Sequence, residues 1–161
     1  MAKSNFEFQG FDEYMKQLNE LAVKTTGIVK RAVYEGAAVV ANEVRNAVAS
    51  LPVSDKNPPK GEPLGILRYE RDGLIEGLGL AAMKDDNGFI YTHIGFDGYN
   101  RLKSKKYPNG HPNSMIARSI ESGSSVRAKH PFMAKALKAA RENSINAMRV
   151  QMDTDIHNII K

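Results

Sequence analysis

Val29, Val33, Gly36, Val40, Val44, Ala47 and Leu51 recur at helical spacing, with Arg31, Ala38, Asn42 and Arg45 on the far side, until Pro52 stops the pattern. A narrow apolar stripe of this kind stays folded only when another element covers it. Gly36 and Ala37, with Ala41 a turn later, thin the stripe in its middle, so a sheet or helix is expected to cross there with its backbone close. The long helix Ile28 to Leu51 is therefore the element around which the rest must be arranged.

Upstream, Phe11, Met15, Leu18 and Ala22 follow Asp12 as a candidate N-cap, and Lys24-Thr25-Thr26-Gly27 is expected to end that first, short helix. Downstream, Pro52, Pro58, Pro59 and Pro63 make the run to Gly65 too rich in breakers for regular structure, and a short turn of helix is expected around Gly73 to Glu76. Leu78 to Lys84 and Phe89 to Gly95 flank Asp85-Asp86-Asn87-Gly88, a strong hairpin signal. In the second strand Phe89, Tyr91, His93 and Gly95 alternate with Ile90, Thr92, Ile94 and Phe96, and one set is expected to face the long helix. A last helix starts at Pro131 and carries Met133, Leu137, Ala140, Met148, Met152 and Ile159 near one face. The expected fold is a single α+β domain over residues 1–161: a small antiparallel sheet with a β-hairpin, packed against a long N-terminal-half helix and a long C-terminal helix. The loops near 52–66 and 97–114 are expected to be flexible or to order upon assembly.

Composition adds a constraint on stability. The chain has 161 residues, 42% of them hydrophobic, which suits one core. Only 7% are aromatic and none is tryptophan, so the core must come from Val, Ile, Leu, Ala and Met, and a homo-oligomer that shares it is expected. There is no cysteine, hence no disulfide, thiol nucleophile or thiolate metal site, in keeping with a reducing compartment. No apolar run approaches the roughly 20 residues of a membrane span, and a protein made in the cytoplasm with no membrane contact is expected.

The net charge of +5 is unevenly spread. Between Gly98 and Arg141 the one acid is Glu121, against Arg101, Lys103, Lys105, Lys106, Arg118, Arg127, Lys129, Lys135, Lys138 and Arg141. Arg101, Lys103, Lys105 and Lys106 in the polar loop, with Lys135, Lys138 and Arg141 on the last helix, are the candidates for facing nucleic acid or an acidic protein. A solvated basic face is the alternative.

Catalytic constellations are poor. His93, His111, His130 and His157 lie in separate segments without metal-ligand spacing, so no metal or cofactor is assigned. No glycine-rich phosphate loop or Gly-x-Ser-x-Gly elbow occurs, and Asp85 and Asp86 are better explained by turn chemistry than as paired acid and base. No catalytic residue is assigned, and an enzyme is the class with least support. Glu121 closes the apolar segment Met115 to Ile120, and is expected to act as a local brace, pairing with Arg118, Arg127 or Lys129 or accepting from the amides of the Gly123-Ser124 turn. Pro131 stands at a first helical position, and Phe132 is expected to anchor that helix in the core, which contributes roughly 1.5 to 3 kcal/mol.

Taken in order, these segments resemble a known family. Phe8-Gln9-Gly10-Phe11-Asp12, the alanine-rich helix closing in Leu51-Pro52-Val53-Ser54, the hairpin, the segment Ile116-Ala117-Arg118-Ser119-Ile120-Glu121-Ser122-Gly123-Ser124 and the run Ala128-Lys129-His130-Pro131-Phe132-Met133-Ala134-Lys135-Ala136 look like the neck or tail-completion family of long-tailed bacteriophages, the gene-product-ten type of lambdoid phages. The chain departs from the family pattern at Ser122, where an aromatic is usual, at Ser124, where threonine is usual, and at Asp55, where glycine is common. The resemblance implies a non-enzymatic virion structural protein at the neck that completes the tail and joins it to the head connector. It implies a ring, with a hexamer favoured by analogy, that contacts other neck, connector and tail-tube proteins and transiently the packaged DNA. The implied location is the virion neck, after synthesis in the host bacterial cytoplasm. Two other classes remain open: a sequence-independent nucleic-acid-binding protein using the 101–106 loop and the C-terminal helix, and a hydrolase using Asp85, Asp86 or a histidine.

Overall fold

The computed structural model describes residues 11–160. The N-terminal signature from Phe8 to Gly10 and any capping role of the Asp12 side chain lie outside the described residues. The fold is α+β. Among the described residues there are four helices, α1 (Phe11–Ala49), α2 (Arg68–Gly77), α3 (Asn113–Ser122) and α4 (Phe132–Ile159), and six short strands.

The break expected at Lys24 to Gly27 does not occur, and α1 runs unbroken for 39 residues, about 58 Å. Thr25 satisfies its hydroxyl inside the helix by donating to the Leu21 carbonyl at 2.7 Å, so the polar pair need not compete for the backbone. The packed stripe is also rotated from the expected one. Ile28, Ala32, Ala37, Ala41, Val44 and Val48 are buried, whereas Val29, Val33, Val40 and Ala47 sit at the edge of the contact. The reason is the partner helix. Antiparallel α4 lies along α1, with Arg31 bonded to Asp155 at one level and the Ser144 hydroxyl donating to the Gly36 carbonyl at 2.9 Å at the next. Small side chains permit this close approach: Gly36 leaves room for Met148 and Ser144, and Ala32, Ala37 and Ala41 on α1 and Ala136 and Ala140 on α4 are buried. For the same reason Leu137 and Met152, expected on the packed face of α4, are exposed at 48% and 36%.

The hairpin forms at the expected turn but is divided. Strands β4 (Lys84–Asp86) and β5 (Phe89–Tyr91) pair next to Asn87-Gly88, whose φ angles of 53° and 88° are those of a tight primed turn. Farther out, β3 (Leu78–Leu80) pairs with β6 (Ile94–Phe96). Between the pairs Leu80↔Ile94 and Lys84↔Tyr91, three residues on one strand face two on the other, which is a β-bulge. The Thr92 hydroxyl, donating to the Ala81 carbonyl at 2.7 Å, holds it. Phe96 is buried while Phe89 is exposed at the tip. A parallel pair not anticipated from sequence joins β1 (Val53–Ser54) to β2 (Ile66–Leu67), closing the proline-rich loop at its base.

The core gathers at the C-terminal end of α1. Val44, Val48 and Leu51 meet Ile66, Leu74, Leu78, Phe96, Ile116, Ile120 and Phe132, with the Phe96 and Phe132 rings edge to face at 6.1 Å. At the other end α4 finishes beside Val23, Lys24 and Gly27 of α1, where Ile159 and Asn158 line a shared groove. Residues 11–22 of α1 therefore project past the end of α4, about 18 Å of helix by rise per residue. No residue described in that projection is buried, and Tyr14, Leu18 and nearby Val23 are 56%, 41% and 84% exposed.

Candidate interaction surface

The segment between α3 and α4 is a largely exposed joint that buries one side chain, Arg127. Helix α3 buries Asn113, Ile116, Ala117 and Ile120, spaced three and four residues apart, and ends at Gly123 with φ of 75°. Glu121, on its last turn, accepts from the main-chain N–H groups of Met133 at 2.7 Å and Ala134 at 3.1 Å. These are among the first amides of α4, which have no partner within the helix, so Glu121 caps α4 from another helix. The sequence pattern pointed to a brace but named other partners; the carboxylate is directed at α4 and not at Arg118, Arg127, Lys129 or the Gly123-Ser124 amides. Pro131 precedes the first turn, and Phe132 is 5% exposed against the core.

Arg127 occupies the turn between the two helices and reaches inward. Its Nη2 donates to both oxygens of Glu70 on α2, at 2.8 and 3.0 Å, while Glu70 Oε2 also accepts from the Leu67 N–H at 2.9 Å, closing the start of α2. Arg127 is thus withdrawn from the basic surface to which its sequence position assigned it. Leu64 bridges to Arg127 and its N–H donates to the Val126 carbonyl, which ties the proline-rich loop to the same joint. Glu70 was not singled out in the sequence; its position four residues before the buried Leu74 was the available signal.

The polar loop is stapled at its neck. The Asn100 side-chain oxygen accepts from the N–H groups of Leu102 and His111, at 3.0 and 3.1 Å. Asn113 at the start of α3 donates through Nδ2 to the carbonyls of Gly73 and Asp97. Both asparagines are buried, and neither was visible as a structural residue in sequence. At the tip Ser104 and Tyr107 exchange main-chain hydrogen bonds, Tyr107 lies against His111 with centroids 4.7 Å apart, and Lys106 sits over the Tyr107 ring. Arg101, Lys103, Lys105 and Lys106 are exposed, and none forms an ion pair with a described residue.

Lys135, Lys138 and Arg141 are likewise exposed, on α4. The loop enters α3 at its first residue whereas α4 follows its last, so the ten residues of α3, about 15 Å, separate the attachment points of the two basic groups. A different set is brought together. Lys129, His130 and Lys135 rim a cleft of about 390 Å³ between the end of α1 and the start of α4, whose walls include Ala47, Leu51 and Phe132.

A second cleft, of about 470 Å³, lies between α2 and the polar loop and is lined by Asp55, Arg68, Asp72, Glu76, Tyr99 and Arg101. Arg68 grips Asp55 through two hydrogen bonds at 2.7 and 3.2 Å and holds its carboxyl below the ordinary range. Burial raises the Tyr69 phenol above its usual value, with Glu70 reinforcing the shift. Among the described residues no group of three or more histidine or carboxylate side chains is placed to hold a metal ion. No described helix is long and apolar enough to cross a membrane. Comparisons with protein-family models, with curated proteins and with solved structures find nothing that matches this chain.

Proposed function

We propose that the protein is a non-enzymatic virion structural component of a phage neck, a tail-completion protein that joins tail to head connector as a homo-oligomeric ring. The observation that carries this reading is the projecting end of α1, where Tyr14, Met15 and Leu18 stand exposed with no described helix beside them. Apolar side chains exposed along this end of the helix are suited to a neighbour. The family-like order of sequence signatures supplies the kind of assembly. Infection without the protein is expected to leave heads and tails unjoined. Normally joined, infectious particles in its absence overturn the proposal.

The polar loop favours a second reading, sequence-independent binding to nucleic acid. Four exposed cations at Arg101, Lys103, Lys105 and Lys106 stand on a stapled loop beside the Tyr107 ring, without a carboxylate partner among the described residues. Binding to duplex DNA should then fall steeply with salt and weaken on replacing those four residues with alanine. No binding at low salt excludes it.

A further inference from the structure

We propose that the cleft between the end of α1 and the start of α4 receives the N-terminal acidic-aromatic segment of a second copy of this chain, so that copies associate head to tail. The cleft has the features of a receptor for such a segment. Its walls include Leu51 and Phe132, its rim carries Lys129, His130 and Lys135, and neither lysine forms an ion pair with a described residue. Glu121, eight residues before Lys129, is committed to the α4 amides.

The complementary segment is at the opposite end of α1. Residues 5–14 read Asn-Phe-Glu-Phe-Gln-Gly-Phe-Asp-Glu-Tyr: Glu7, Asp12 and Glu13 alternate with Phe6, Phe8, Phe11 and Tyr14, and no basic residue falls between Lys3 and Lys16. An aromatic side chain in the cleft with carboxylates against its rim would bury apolar area and pair charge together.

Geometry selects the donor. Ala47, at the cleft, lies 36 helical residues from Phe11, about 54 Å along α1. From Phe11 back to Phe6 the chain spans at most about 18 Å even when fully extended. The segment therefore cannot reach the cleft of its own chain. A second copy can supply it, and the projecting end of α1 is then partly covered by that contact. Because the two surfaces differ, the contact is heterologous, and repetition gives a closed ring or an open filament. The inference stands apart from the neck reading, since it concerns the purified chain alone.

Sedimentation of the full chain over a range of concentrations at low salt tests it. Self-association is expected, weakening as salt rises. Lys129→Glu with Lys135→Glu should weaken it by about tenfold or more, and so should Glu7→Lys with Glu13→Lys. Mixing these two variants should restore one productive contact, because the first retains an acidic segment and the second a basic cleft. All the substituted side chains are on the surface or outside the described residues, and far-UV circular dichroism checks that the helices persist. As a direct probe, Phe8→Cys combined with Ser50→Cys in this cysteine-free chain should form disulfides between copies. A chain that stays monomeric at every concentration overturns the proposal, as does association that neither reversal weakens. Failure of the mixed variants to associate also overturns it, and leaves the basic rim to a foreign acidic segment.

Discussion

Arg127 and Glu70, 57 positions apart, form a buried ion pair in which one guanidinium nitrogen donates to both carboxylate oxygens. Their side chains are 7% and 6% exposed, so neither charge has water to fall back on. Arg127→Ala leaves Glu70 buried and unpaired, and should cost about 3–5 kcal/mol. The pair itself is not expected to contribute so much. Arg127 Nε and Nη1 find no partner among the described residues, and replacing both residues, Arg127→Met with Glu70→Leu, should recover most of the loss. Chemical denaturation of the two single variants and the double variant gives the comparison; equal losses in all three would show that the apolar exchange does not relieve the site.

Glu121 joins two helices through backbone amides, so its removal should be felt at α4 more than at α3. Glu121→Ala is expected to destabilise the chain by about 1–2 kcal/mol, in the range of a lost N-cap, and Glu121→Gln by less because one acceptor oxygen remains. Hydrogen exchange should place the loss at Met133 and Ala134, whose N–H groups Glu121 accepts. An effect spread evenly over the chain would mean that Glu121 acts by another route.

The parts of this arrangement that local chemistry dictates were legible in the sequence. Asn87-Gly88 demanded the turn it makes, and Phe132 after Pro131 marked both a helix start and a core anchor. The continuity of α1 was not legible, because Lys24-Thr25-Thr26-Gly27 has poor helix propensity, which is offset by the Lys24–Glu20 ion pair, the hydroxyl of Thr25 turning onto Leu21 and the passage of α4 beside Gly27. The rotation of the packed stripe was hidden for a related reason. Hydrophobic spacing favours the valines, whereas close helix contact selects the alanines and Gly36. The Glu70–Arg127 pair joins two segments whose approach depends on the whole fold, and charge counting alone left Arg127 on the surface.

Arg31 and Asp155 tie α1 to α4 near the end of the two-helix arm, at 2.8 Å. Arg31's hydrogen bond holds the Asp155 carboxyl below its ordinary value, outweighing the desolvation that would raise it. Arg68 does the same to Asp55 at the base of the proline-rich loop. A carboxylate depressed in the folded state contributes stability that is fully present above its unfolded value of about pH 4 and is lost as pH falls through the folded value. Denaturation midpoints should therefore drop on acidification below about pH 4, and drop less in Arg31→Ala combined with Arg68→Ala. An identical acid slope in that double variant would assign the loss to other carboxylates.

Gly36 should respond to substitution with a sign that depends on Met148. In an isolated helix Gly36→Ala would stabilise by roughly 0.5–1 kcal/mol through backbone entropy. Here a Cβ would collide with both Cε and Cγ of Met148, and the second of these is too near the α4 backbone to swing aside. The helices would have to separate, straining the Ser144 hydrogen bond to the Gly36 carbonyl, and overpacking of this kind costs about 1–3 kcal/mol. Gly36→Ala is thus expected to be destabilising by about 1 kcal/mol, and Gly36→Val by more. In a Met148→Ala background the obstruction is gone and the propensity gain remains, so Gly36→Ala should become stabilising there. A double-mutant cycle measured by thermal or chemical denaturation isolates the coupling. If Gly36→Ala has the same effect in both backgrounds, α1 and α4 are not in contact at this level.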